Sequence, residues 1–313
     1  MLITVVIPTH NPNRLRLKRT LMGIAAQTWP VAQREVLLID NASKVPLQSA
    51  DFADELPDVT VLREDRLGLT AARIRGFEAA QGDLIVLVDD DNELAVTYLA
   101  AAAQALGSDP QLGAVGGRSL PDFESPPPAW SREFDGLLAL RDPGSVPERA
   151  QWLAGVPQSY PPCAPIGAGM VLRREAAAAY LKALELHPQR RGLDRTGNRL
   201  ISGGDNDLVM SALEAGWAVA YRPELSLLHL IPAHRSETKY LGELNRAVAR
   251  SWVSVLAMHG IRLWPPISAA TVPLRRARAW LRTGAWRGPA AWVRWQGLSG
   301  VFEGQADLTS FPP

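Results

Sequence analysis

The chain has 313 residues, of which 47% are hydrophobic, enough to bury a core as one large α/β domain with an extension or as two small domains. A formal net charge of +1 excludes the strongly basic balance of a dedicated nucleic-acid binder. The single cysteine, Cys163, excludes an intrachain disulfide and fits a reducing compartment.

Residues 2 to 7 are β-branched and apolar and run into Pro8-Thr9-His10-Asn11, which predicts a buried strand entering a loop. This run is too short for a signal peptide or a membrane span, and no other window reaches about 18 apolar residues. The expectation is a soluble, cytoplasmic protein. A helix is predicted over residues 15 to 27, then short strands over 36 to 39 and 59 to 62. A second helix follows over 69 to 80, closed by Gln81-Gly82. A fourth strand, 84 to 88, leads into Asp89-Asp90-Asp91-Asn92, and an alanine-rich helix covers 96 to 106. Residues 116 to 165 cluster prolines and isolated aromatics and read as a long irregular segment. Order is expected again in a strand over 166 to 172 with a helix after it, a helix over 205 to 215, a strand over 217 to 221 and a longer helix over 234 to 258.

Strands alternating with helices predict a parallel sheet with helices on both faces. Ligands in such sheets sit at the carboxyl ends of the strands. Here those ends carry Thr9-His10-Asn11, Asp40-Asn41 and Asp89-Asp90-Asp91. Three successive aspartates after a buried strand repel one another unless a cation or solvent offsets them. A divalent ion with oxygen ligands would do so, completing its shell with water and substrate phosphates. The plainer alternative is a loop that caps the next helix.

Five stretches, in order, carry a resemblance: Val6-Ile7-Pro8-Thr9-His10-Asn11, Leu38-Ile39-Asp40-Asn41-Ala42-Ser43, Gly68-Leu69-Thr70-Ala71-Ala72-Arg73-Ile74-Arg75-Gly76, Val88-Asp89-Asp90-Asp91-Asn92 and Gly203-Gly204-Asp205-Asn206-Asp207-Leu208. Over roughly residues 1 to 235 the chain resembles a family 2 glycosyltransferase of the GT-A fold, an inverting enzyme dependent on a nucleotide sugar. The resemblance implies a catalytic domain over 1–235, with a nucleotide-binding half (1–115) and an acceptor-binding half (116–235), followed by a helical extension over 236–313. It implies that Pro8, Thr9, Asn11 and Asn41 lie near the nucleotide sugar, that Asp40 accepts a hydrogen bond from the base, and that Arg73 lies near base and diphosphate. Asp89 and Asp90 would hold ribose or metal-bound water. Asp91, with Asp89 and His229, would bind Mn²⁺ or Mg²⁺. Asp205 falls at the position of the catalytic base, with Asp207 as the alternative; where the family has Glu-Asp, this chain has Gly204-Asp205.

Several of these residues also have plainer readings. Arg73 and Arg75 could be solvated helix charges, and His229 a core histidine in an apolar run. Trp130, Trp152 and Gly169 are candidates for the acceptor site, and either tryptophan could instead anchor the core. The implied donor is UDP-, GDP- or dTDP-linked, and the acceptor a glycan or a lipid-linked hydroxyl. A dinucleotide-dependent oxidoreductase would need a Gly-X-Gly-X-X-Gly turn after the first strand, which is absent. A catalytically silent carbohydrate- or nucleotide-binding protein would not require both Asp91 and Asp205. Between Glu243 and Glu303 there is no acidic residue, while arginines and tryptophans interleave there. That pattern suits peripheral contact with the inner face of an anionic membrane, or a helical cap with solvated arginines.

Overall fold

A computed structural model describes residues 1–197 and 200–310. Residues 198–199 of the expected acceptor-binding half and 311–313 of the expected extension lie outside the described ones. The chain divides into two compact units: Met1–Asp122 with Ala139–Gly192 and Leu208–Leu230, and Phe123–Leu138 with Leu193–Asp207 and Ile231–Pro313.

The first unit is built on a nine-stranded sheet. Its strands are β1 (Ile3–Thr9), β2 (Arg34–Asn41), β3 (Val59–Glu64), β4 (Leu84–Leu87), β5 (Asn92–Leu94), β6 (Leu112–Phe123), β7 (Glu148–Gln151), β8 (Val171–Arg173) and β9 (Ala218–Ile231). They lie in the order β3-β2-β1-β4-β8-β6-β9-β5, with β7 also on β9. The expected parallel sheet is β3-β2-β1-β4. Antiparallel pairing begins at β8 and continues where β5 and β7 join β9.

Both faces of the sheet are covered, which is why its central strands read as continuous apolar runs. On one face Val5 and Ile7 of β1 pack with Leu17, Leu21 and Ile24 of α1 (Arg14–Ala25) and Leu99 and Ala102 of α3 (Tyr98–Ser108). On the other face Val6 shares a second core with Ala72 and Phe77 of α2 (Leu69–Ala79), Tyr180 of α4 (Arg174–Leu186) and Leu213 of α5 (Gly204–Glu214). Alternate residues of one strand thus feed two cores. Asn13 starts α1, its side chain accepting from the N–H groups of Leu15 and Arg16 at 3.1 Å. Leu17, Leu21 and Ile24 then fall on one stripe, and each buried side chain contributes about 1.5–3 kcal/mol.

Three sequence expectations change. The segment from 116 is not irregular throughout, because β6 continues to Phe123. Its glycines hid it: a Cβ at Gly113 would strike Trp217, and one at Gly117 would strike the backbone carbonyls of Arg222 and Leu225. Close approach to β9 therefore demands residues that carry no strand signal. The strand expected over 166–172 shrinks to β8, because residues 167–170 turn, with Gly169 at φ +74°. The strand expected over 217–221 runs on past Pro223 to Ile231.

The second unit holds a 3₁₀ segment (Ala129–Leu138), the first turn of α5, and helices α6 (Thr238–Met258), α7 (Val272–Thr283) and α8 (Pro289–Asp307). Helix α8 lies against α6 through glycines. A Cβ at Gly300 would meet the Arg246 carbonyl, one at Gly304 would meet Val253 and the Arg250 carbonyl, and Gly242 of α6 receives the Trp292 ring. Ion pairs Arg246–Glu303 and Arg250–Asp307 flank the same interface. Among the described residues no helix is long and apolar enough to cross a membrane.

Candidate active site

In the first unit, β1 and β2 end level, with Thr9 in register with Asp40. Pro8 and Thr9 are buried, and Thr9 Oγ1 donates to Asp90 Oδ2, joining the end of β1 to the loop after β4. Asn11 leaves β1 at φ 47°, a left-handed conformation that asparagine tolerates better than most residues. Its N–H donates to Ser43 Oγ at 2.9 Å, and its Oδ1 accepts from the Lys44 N–H at 2.9 Å. His10 bridges the same loops, with Nδ1 2.7 Å from the Asn41 carbonyl and Nε2 2.7 Å from Asn11 Nδ2.

Asp40 is fully buried. It accepts from the N–H groups of Ser43 (3.2 Å) and Leu47 (3.1 Å) and from Arg63 Nη1 (2.6 Å). Burial pushes its carboxyl up, but hydrogen bonds from Ser43, Leu47 and Arg63 outweigh that and hold it below the usual carboxylate range. Asn41 donates to the carbonyls of Glu64 (3.2 Å) and Arg66 (2.8 Å) and accepts from the Gly68 N–H at 2.8 Å. It thereby fixes the entry to α2, where Arg73 is only 4% exposed. That burial removes the solvated-charge reading for Arg73; Arg75 is half-buried.

The aspartate run bends directly after β4. The Asn92 N–H donates to the Asp89 carbonyl at 3.1 Å, and Asn92 Oδ1 accepts from the Asp89 N–H at 3.3 Å. The turn buries Asp91 and leaves Asp89 and Asp90 half-buried. Strand β5 then pairs with β9, placing Asn92 opposite His229. The Asp91 carbonyl accepts from the Leu230 N–H at 2.8 Å, and Asp91 Oδ1 lies 3.4 Å from His229 Nε2. A carboxylate and an imidazole, both nearly buried, are thus held by two adjacent strands 138 positions apart in sequence. Among the described residues no cluster of three or more His, Cys, Asp or Glu gathers as a closed metal cage. A two-donor set fits a divalent ion whose remaining positions are filled by diphosphate oxygens and water.

In the second unit, Asp205 and Asp207 lie in the first turn of α5, where carboxylates are favoured by the helix dipole. Asp205 is half-buried, and its Oδ1 accepts from the Asn206 N–H at 3.1 Å. Asp207 is fully buried, with Oδ1 2.8 Å from Nε2 of His259 at the end of α6. His259 was not legible as a site neighbour, because 52 residues separate it from Asp207. A Cβ at Gly204 would collide with the Asp194 carboxylate, so a buried aspartate occupies the space beside Asp205.

The acceptor candidates belong to different units. Trp152, in the first unit, donates from Nε1 to the Ser159 carbonyl at 2.9 Å and packs against the core on the α2 face. Trp130, in the second, sits edge-on to Phe134 at 6.2 Å. Gly169 is required by its left-handed φ and by Tyr98, whose hydroxyl donates to the Gly169 carbonyl at 2.5 Å. Burial pushes that hydroxyl's pKa well up, so it stays a donor.

Residues 4–177 match the family described as Glycosyl transferase family 2. A glucosyl-dolichyl phosphate glucuronosyltransferase of Haloferax volcanii is 24% identical over 156 residues, covering 50% of this chain and 45% of that one. A human polypeptide N-acetylgalactosaminyltransferase 14 is 34% identical over 92 residues, 29% of this chain and 16% of that one. The chain thus spans less than half the length of these relatives. Among solved structures, the mannosyltransferase PcManGT from Pyrobaculum calidifontis, in complex with GDP-Man and Mn²⁺, aligns with TM-score 0.55 and 21% identity over 99% of this chain and 76% of that one. GalNAc-T7 with UDP, GalNAc and Mn²⁺ aligns with TM-score 0.55 and 18% identity over 100% and 58%. The fold is that of the GT-A glycosyltransferases.

Proposed function

Because the chain belongs to glycosyl transferase family 2, we propose that it moves a sugar from a nucleoside diphosphate to a hydroxyl of a glycan or lipid-linked acceptor, inverting the anomeric centre. The observation that carries this reading is the buried Asp91–His229 pair beside a turn whose Asp90 is tied to Thr9. Carboxylate and imidazole together suit Mn²⁺ or Mg²⁺, and two neighbours of the same fold were solved with Mn²⁺. Such an ion would offset the negative charge of the departing diphosphate. The donor is a UDP-, GDP- or dTDP-linked sugar, two of these bases occurring in those neighbours.

In this reading Asn11, Asn41 and Asp40 hold the nucleotide loops in shape, and Arg73 offers a fixed cation from α2. Asp205 takes the acceptor proton as the hydroxyl attacks from the face opposite the leaving group. Burial and the His259 contact favour Asp205 over Asp207 for that role. Asp207 instead anchors the helix that carries the base.

The test is Asp205→Asn. Turnover should fall by about 10²–10⁴-fold, the usual contribution of a general base, while calorimetric binding of the donor with Mn²⁺ is retained. Turnover within about tenfold of the parent would overturn Asp205 as base. Product analysis separates transfer from hydrolysis of the donor. A thermal-shift panel of nucleoside diphosphates with and without Mn²⁺ identifies the base, since a ligand of the folded state raises apparent stability.

A further inference from the structure

The surface of α7 inverts the usual rule for a helix at a protein surface. Its inward face is narrow: Ala279 is buried and Arg276 half-buried near Glu303. The opposite ridge is apolar. Leu274 and Leu281, about two turns apart, are 64% and 63% exposed, with the exposed Ala277 between them. On one flank stand Arg275, Arg278 and Arg282, all exposed. On the other, the Trp280 and Trp286 rings lie tilted against each other with centroids 4.7 Å apart, and Arg287 lies over Trp286. Among the described residues none of Arg275, Arg278, Arg282 and Arg287 is ion-paired with a carboxylate. Other arginines of the same unit, Arg246, Arg250 and Arg294, are paired with Glu303, Asp307 and Glu133.

We propose that the outer ridge of α7 and the turn after it, Leu274 to Arg287, docks in the plane of an anionic lipid bilayer. Leucine and tryptophan side chains would enter the headgroup boundary while the arginine flank meets lipid phosphates. Charge weighs against the strongest competitor: a second copy docked face to face would juxtapose arginines that have no carboxylate partner. A DNA or RNA strand would use the arginines but leave both leucines in water. Helix α7 has twelve residues, too few to span a bilayer, so the contact is in-plane. This inference does not depend on the transfer chemistry and is tested without it.

The full chain is sedimented with vesicles of phosphatidylglycerol and phosphatidylcholine in about equal parts, and with phosphatidylcholine alone, at low and high salt. Binding is expected on the anionic vesicles, at least about tenfold weaker on neutral ones, and weakened by salt. Leu274→Glu with Leu281→Glu should abolish it. Arg278→Gln with Arg282→Gln should weaken it about ten- to thirtyfold at low salt. Both pairs replace exposed side chains, and an unchanged thermal midpoint confirms folding. Failure of the parent chain to bind anionic vesicles at low salt overturns the proposal. So does binding indifferent to the leucine pair, or tight binding of single-stranded DNA without vesicle binding. Sedimentation velocity showing a dimer that the leucine pair dissociates, without vesicle binding, overturns it in favour of a second copy.

Discussion

The strand-end loops of the first unit and the helices of the second are ordered by opposite means. After β1, β2 and β4, side chains do the holding: Thr9, Asn11 and Asn41 each bond to another loop, and Asp40 and Asn92 close the loops they belong to. Between α6 and α8 the absence of side chains does it, with Gly300 and Gly304 admitting backbone carbonyls. The loops accept backbone strain, with Asn11 at φ 47° and Ala42 at φ 53°. Strain of this kind clusters at ligand sites and persists only where the surroundings over-determine it. Polar cross-bonding therefore marks where small charged groups must be positioned. Glycine packing marks where mass must be brought close and the outer face is left for something else.

The sharpest way to break this contrast is Asp91→Ala. It should weaken Mn²⁺-dependent nucleotide binding by more than about a hundredfold, as loss of a direct ligand must at least match loss of its supporting partner. Circular dichroism should show the fold intact. Metal-dependent binding that calorimetry finds unchanged would remove the loops' assigned purpose. Gly300→Val is the mirror experiment. It should cost about 3 kcal/mol in urea unfolding, because the added carbons meet the Arg246 carbonyl, with nucleotide affinity per folded molecule unchanged.

Asp40→Asn sharpens the loop side through pH. A carboxyl held low in the folded state stabilises it above the unfolded value of about 3.9, and that stability is lost as pH falls through the folded value. The variant should be less stable by roughly 1–3 kcal/mol at pH 7, and the gap should narrow in urea melts below about pH 3.5. A gap independent of pH would mean that the loss is one of packing. The smallest expected effect is Ala42→Gly. A left-handed alanine costs about 1–2 kcal/mol, partly offset by the greater freedom of glycine when unfolded. A gain of about 0.5 kcal/mol is expected in thermal unfolding, and a loss would show that the alanine methyl group packs usefully.

What could be read from the sequence follows the range of the interactions. Strands β1, β2 and β4 are buried on both faces, so each announces itself within a few residues, and the aspartates at the end of β4 stand out for the same reason. Helix α1 carries its own cap and stripe. Strand β6 and the far half of β9 were hidden because each is made a strand by the other, through glycines and across Pro223. The Thr9–Asp90, Asp91–His229 and Asp207–His259 contacts join residues 81, 138 and 52 positions apart, and no local pattern encodes such pairings. His229 was reachable only through the resemblance.

The glycine at 204 also constrains how this sequence can change. Its Cβ position is filled by the Asp194 carboxylate, so the two sites share one volume. Glutamate at 204 would force the Asp194 side chain to move, whereas shortening 194 first would open the space. The order of substitution then decides which intermediate carries the strain, and the effects of the two changes should be non-additive, as for any residues in direct contact.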